Sequence, residues 1–131
     1  MPGTSILIVD DNPVNMKLVC VLLTGEGYDV RTAVDAPQAL QALRTSKPDL
    51  ILMDIQLPGI DGLELTRRLK ADPATRDIKI VGLTAYAMKG DQERILAAGC
   101  DGYLPKPIDT RTLPNSIKGY LRRQPSTDKH S

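Results

Sequence analysis

The sequence predicts an α/β domain built as a doubly wound parallel sheet, and three observations carry that prediction. Short unbroken apolar runs, above all SILIV at 5–9 and LILM at 50–53, read as strands buried on both faces. Five stretches with helical spacing alternate with five such strands at short intervals, and right-handed crossovers then place helices on both faces. Two of the runs stop at acids: Asp10-Asp11 after the first, and Asp54 after the third, where Pro58-Gly59 then mark a turn. A carboxylate at the carboxyl end of a parallel strand points into the crevice where open α/β sheets bind their ligands.

Taken in order, Ser5–Val9 is the first strand. Asn12 suits a helix N-cap and Pro13 a first helical position, opening a helix that either Gly25 or Gly27 can end. Its apolar residues (Val14, Met16, Leu18, Val19, Val21, Leu22, Leu23) cover more than one narrow face. Either the helix is deeply packed or part of it meets a partner. Tyr28–Ala33 reads as the second strand. Ala36–Thr45, with Ala39, Leu40 and Leu43 at helical spacing, is the second helix, closed by Lys47-Pro48 before the strand at 49–53. The third helix starts from Asp61 as its cap, offers Leu65 and Leu69 on one face, and breaks at Asp72-Pro73. Ile78–Leu83 is the fourth strand, closing on Thr84, and the fourth helix covers Met88–Ala98 and stops at Gly99. Cys100–Leu104 is a short fifth strand before Pro105-Lys106-Pro107. The last helix, Asp109–Arg122, sets Leu113, Ile117, Tyr120 and Leu121 at i, i+4, i+7 and i+8. Residues 1–123 thus read as one domain, and the polar residues 124–131 as a frayed tail.

Composition narrows the function. Seventeen Lys and Arg against 16 Asp and Glu leave a net charge of +1, which gives no electrostatic footprint for nucleic acid or an anionic membrane. No apolar run reaches the roughly 18 residues of a spanning helix. No signal peptide is evident ahead of the first strand, so a cytoplasmic setting is expected. Cys20 and Cys100 match no metal or CxxC spacing and are expected to be buried, reduced packing residues. With no Phe or Trp, the core must be aliphatic.

The chemistry gathers at the strand ends: Asp10 and Asp11 after the first, Asp54 after the third, Thr84 after the fourth, Lys106 after the fifth. All of these ends share one edge of a parallel sheet. Three crowded carboxylates repel one another and call for a cation; hard oxygen donors of this kind suit Mg²⁺, commonly shared with a phosphate. Lys106 adds a point charge for a phosphate oxygen and Thr84 a hydroxyl donor. Asp54, central among them, is the candidate nucleophile for in-line phosphoryl transfer, giving an acyl phosphate. Singly, each residue has a plainer reading. Asp10 and Asp11 could be caps, Asp54 a turn residue, Thr84 a strand residue, Tyr103 a half-buried aromatic and Lys106 a solvated lysine. Their coincidence in one crevice tells against those readings.

With these residues in place, the chain resembles the response-regulator receiver domains of two-component signalling. The matching stretches are ILIVDDNPVN at 6–15, LILMDIQLPGIDG at 50–62, VGLTAYA at 81–87 and GYLPKPI at 102–108, within a resemblance spanning about residues 5–123. The resemblance implies a flavodoxin-like fold with strand order 2-1-3-4-5. It implies that a sensor histidine kinase or histidine phosphotransfer protein, as in a phosphorelay, phosphorylates Asp54. Mg²⁺, replaceable by Mn²⁺, would be held by Asp11 directly, by Asp10 through water, by Asp54, and by the backbone carbonyl of Gln56. Thr84 and Lys106 would bind the phosphoryl oxygens, and Tyr103 would be the aromatic that follows Thr84 on activation. Lys106-Pro107 matches the family's cis peptide. Gln56 and Tyr86 occupy positions that flank the phosphoryl group and tune its lifetime. The bulk of Tyr86 is expected to hinder the attacking water. The only enzymatic activity implied is self-catalysed phosphorylation and slow autodephosphorylation. A downstream protein target is expected on the surface of the fourth helix, fifth strand and fifth helix, with weak homodimerisation compatible. The chain reads as a stand-alone regulator or the receiver of a hybrid kinase; the start Met and short tail favour the first.

Two readings from other classes compete. A phosphatase of the haloacid-dehalogenase type needs a second acid two residues after its nucleophile, where this chain has Gln56. A flavodoxin-type flavin carrier needs a Ser/Thr/Gly-rich phosphate loop after the first strand, where this chain has DDNPVN.

Overall fold

The computed structural model describes residues 4–56, 62–84, 89–106 and 108–122. Its elements are β1 (Ser5–Val9), α1 (Pro13–Gly25), β2 (Asp29–Ala33), α2 (Ala36–Thr45), β3 (Leu50–Asp54), α3 (Gly62–Ala71), β4 (Lys79–Thr84), α4 (Lys89–Ala97), β5 (Gly102–Pro105) and α5 (Leu113–Arg122). The strands pair in parallel in the order β2-β1-β3-β4-β5, as the resemblance implies.

Because side chains alternate across a strand, the sheet divides the apolar core in two. On one face Leu7, Val9, Ile51, Met53 and Ile80 pack with Ala39 of α2, Leu65 and Leu69 of α3 and Ile95 of α4. On the other, Ile6, Ile8, Leu50, Leu52, Val81 and Leu83 pack with Val19 and Leu23 of α1 and Leu113 and Ile117 of α5. Every residue of β3 is buried, as its continuous apolar run requires.

Helix α1 opens as expected: the Asn12 side chain accepts hydrogen bonds from the backbone N–H groups of Val14 and Asn15, and Pro13 follows it. Gly27 supplies the stop, at φ +94°, while the helix itself ends at Gly25. The open question about its wide apolar coverage is answered by burial. Val14, Leu18 and Val21, at i, i+4 and i+7, are 74, 39 and 64% exposed and form a stripe facing solvent.

Two element boundaries and one burial differ from expectation. The last helix begins at Leu113, four residues later than Asp109 suggests. The Asp109 carboxylate accepts from Arg111 N–H and its carbonyl from Thr112 and Leu113 N–H, so the acid caps a separate turn ahead of the helix. Strand β5 begins at Gly102: Cys100 N–H still bonds back to the Ile95 carbonyl of α4, and Asp101 N–H, donating to the Ile80 carbonyl at 2.7 Å, makes the turn from helix to β4. Cys20 is half-buried, whereas Cys100 is buried; both are free thiols.

The amino end of the sheet is tied by a polar cluster. The Asp101 carboxylate accepts from Ile80 N–H at 2.8 Å and from Lys70 Nζ at 3.0 Å; Lys70 also donates to the Ile78 carbonyl at 2.8 Å. Gly99, at φ +108°, lets this lysine pass, since a Cβ there would lie 2.9 Å from Lys70 Cγ. The predicted turn at Pro58-Gly59, the Asp61 cap, Tyr86, the Met88 helix start, the Lys106–Pro107 peptide and the 124–131 tail lie outside the described residues.

Candidate functional site

Strand register builds the site. Val9 pairs with Met53 and Asp54 with Leu83, so Asp10, Asp54 and Thr84 emerge beside one another at the carboxyl edge. Thr84 pairs with Pro105, and the Thr84 carbonyl accepts the Lys106 N–H at 2.7 Å, which brings Lys106 to the same edge. Asp10, Asp54 and Thr84 are essentially fully buried, and Asp11 is exposed.

The two buried carboxylates are held alike. Asp10 Oδ1 accepts the Asn12 N–H at 2.9 Å, and Asp54 Oδ1 accepts the Gln56 N–H at 2.9 Å. The remaining oxygens meet Lys106, whose Nζ lies 3.0 Å from Asp54 Oδ2 and 4.0 Å from Asp10 Oδ2. Asp10 Oδ2 accepts no hydrogen bond among the described residues, although it is buried. Burial pushes the Asp10 carboxyl above its usual range; the Asn12 N–H and the Lys106 charge oppose this, and the Asp54 charge reinforces it.

One carboxylate oxygen from each of Asp10, Asp11 and Asp54 lies within 4.8 Å of the others. A single ammonium cannot neutralise three carboxylates, and an orphaned buried carboxylate oxygen is costly. The donor set is entirely hard oxygen, and it fits a small divalent cation such as Mg²⁺.

The sequence-predicted residues Asp10, Asp11, Asp54, Thr84 and Lys106 therefore gather at one edge, with Gln56 exposed beside them. Tyr103 stands on β5, half-buried against the cluster on the α3–α4 side, and its carbonyl accepts the Tyr120 hydroxyl at 3.5 Å. Sequence reasoning missed Gly62, which packs directly on the Asp54 backbone. A glycine standing at the first position of a helix was the available signal.

Comparison with known proteins places these features in a family. The model of the response regulator receiver domain matches residues 6–118. The polar-differentiation response regulator DivK of Brucella anthropi is 47% identical over 117 residues, covering 89% of this chain and 95% of that protein. A crystal structure of a putative response regulator from Chloroflexus aurantiacus superposes with a TM-score of 0.87 at 35% identity, covering 92% of this chain and 99% of that one. The receiver domain of a sensor histidine kinase from Pseudomonas aeruginosa, crystallised with a magnesium ion coordinated in its active-site cleft, gives a TM-score of 0.83 at 37% identity. It covers 92% of this chain and 99% of that one.

Proposed function

The chain belongs to the response regulator receiver domain family of two-component signalling, and we propose that it is a switch thrown by phosphorylation of Asp54. In this reading residues 1–123 belong to the receiver unit and the setting is cytoplasmic. The observation that carries the reading is the cluster of three carboxylates with the Lys106 ammonium 3.0 Å from the central one.

In this reading a phosphohistidine of a kinase or phosphotransfer protein presents its phosphorus to the cleft. The exposed Val14, Leu18 and Val21 stripe of α1, the helix that follows Asp10-Asp11, is the surface we assign to that partner. An Asp54 carboxylate oxygen attacks in line, the phosphorus–nitrogen bond breaks, and the departing imidazole takes a proton from solvent. The Gln56 N–H bond to Oδ1 holds the carboxylate in one orientation. Asp10, Asp11, Asp54 and the Gln56 carbonyl would hold Mg²⁺, or Mn²⁺ in its place, and the cation would supply positive charge against the transferring oxygens. Lys106 exchanges its ion pair with Asp54 for one with a phosphoryl oxygen. Thr84 donates its hydroxyl to another, and Tyr103 follows that movement. The new contacts favour one arrangement of the α4–β5–α5 surface over the other, and a protein target reads the difference.

The experiment is intact-mass spectrometry after incubation with acetyl phosphate, with Mg²⁺, with chelator, and on Asp54→Asn. Gain of one phosphoryl group that needs both Mg²⁺ and Asp54 supports the reading. Gain on Asp54→Asn, or none in any arm, counts against it.

A further inference from the structure

We infer that Gly62, the first residue of α3, is a positioning residue for the cation end of the cleft: its missing Cβ lets α3 seat directly on the backbone that carries Asp54 and Gln56. The inference rests on the metal-dependent reading above.

A Cβ built at Gly62 would collide with the Asp54 carbonyl oxygen and lie 2.7 Å from Ile55 Cα. Both obstacles are backbone atoms, which cannot swing aside as a flexible side chain does. Gly62 is not among the residues at positive φ, so space and not conformation is what demands glycine here. The contact is also bonded: Gly62 N–H donates to the Ile55 carbonyl at 3.0 Å, tying the first residue of α3 to the residue after Asp54.

A second anchor lies behind it. The fully buried Thr66 hydroxyl donates to the Gly62 carbonyl at 2.8 Å, and Cys100 Sγ sits 3.9 Å from the same hydroxyl. On the other side Ile55 N–H bonds to the Leu83 carbonyl at 3.2 Å, prolonging the β3–β4 pairing past Asp54. Ile55 is thus held by β4 through its N–H and by α3 through its carbonyl. Gln56, whose carbonyl the metal reading assigns to the cation, is the next residue. The position of that carbonyl depends on how closely α3 approaches.

The test is the Mg²⁺ dissociation constant of the full chain by calorimetry, with the thermal midpoint of each variant, measured where circular dichroism shows it folded. Gly62→Ala is compared with Gly99→Ala, a strained glycine replacement at the opposite end of the sheet. Expected is Mg²⁺ binding at least tenfold weaker in Gly62→Ala and unchanged in Gly99→Ala, although both midpoints fall. Equal Mg²⁺ affinity in Gly62→Ala and the parent overturns the inference. Should Gly62→Ala fail to fold, the Thr66 pair decides. A threefold or greater loss in Thr66→Val, restored in Thr66→Ser, supports the inference, and no loss in Thr66→Val overturns it. A parent chain that binds no Mg²⁺ overturns the metal reading itself, and this inference with it.

Discussion

The Lys106 ammonium sits 3.0 Å from Oδ2 of Asp54, occupying with its own charge the ground that a divalent cation and a phosphoryl group would share. In the proposed function the lysine would both compete with the metal and be needed by the product. Lys106→Met should bind Mg²⁺ more tightly, by a factor of a few. Its phosphorylation by acetyl phosphate should slow by about 10²-fold, the usual consequence of removing one charge-stabilising donor. Calorimetry and the time course of phosphoryl gain read the two effects separately. Tighter metal binding with an undiminished rate would contradict the role given to Lys106.

Asp10 Oδ2 is buried without a hydrogen bond among the described residues. Asp10→Asn removes the charge and keeps the shape. The metal-free chain should gain about 1 kcal/mol, since an unsatisfied buried acceptor costs roughly 1–3 kcal/mol and part of that is returned by losing the Lys106 attraction. A rise of roughly 4 °C in thermal midpoint is expected. Added Mg²⁺ should then stabilise the variant far less than it stabilises the parent.

The pH dependence follows from the raised Asp10 pKa. In the unfolded chain this carboxyl ionises near the ordinary aspartate value of 3.8; in the folded chain it holds its proton to higher pH. Its cost to stability is therefore full above the raised value and is withdrawn as pH falls through that value toward 3.8. The stability difference between Asp10→Asn and the parent should be largest at neutral pH and shrink on acidification. Mg²⁺ competes with the same proton. Its binding should weaken in that window and release protons, read by calorimetry in buffers of different ionisation enthalpy.

Tyr86 stands two residues after Thr84 in the sequence, and its bulk is proposed to hinder hydrolysis of the acyl phosphate. Tyr86→Ala should shorten the phosphorylated state several-fold with little change in the rate of its formation. Decay followed by intact mass tests this; an unchanged decay rate removes the role.

The strands were legible because burial on both faces leaves the sequence no alternative to a continuous apolar run, as in Leu50–Met53. The gathering of Asp10, Asp11, Asp54, Thr84 and Lys106 was legible because a parallel sheet puts all strand ends on one edge. The start of α5 was missed because Asp109 is as good a turn residue as a helix cap. Pro114 was the better guide: proline belongs in a helix's first turn, and Leu113–Arg122 places it second, whereas a helix from Asp109 would have put it inside. The exposure of Val14, Leu18 and Val21 was beyond reach, since periodicity alone does not say which of two apolar faces meets the sheet. The Lys70–Asp101 tie depends on a close approach between distant segments, which spacing does not encode, and Gly62 offered only its place at a helix start, with nothing to show what it packs against.

The sheet that separates the two apolar clusters is a partition, and repacking on one side of it need not be felt on the other. At the carboxyl rim the two compartments open onto common ground. There Asp10 and Asn12 lead into α1 on one side, and Asp54 and Gly62 lead into α3 on the other. A chemical event at that rim touches residues that lead into both compartments at once.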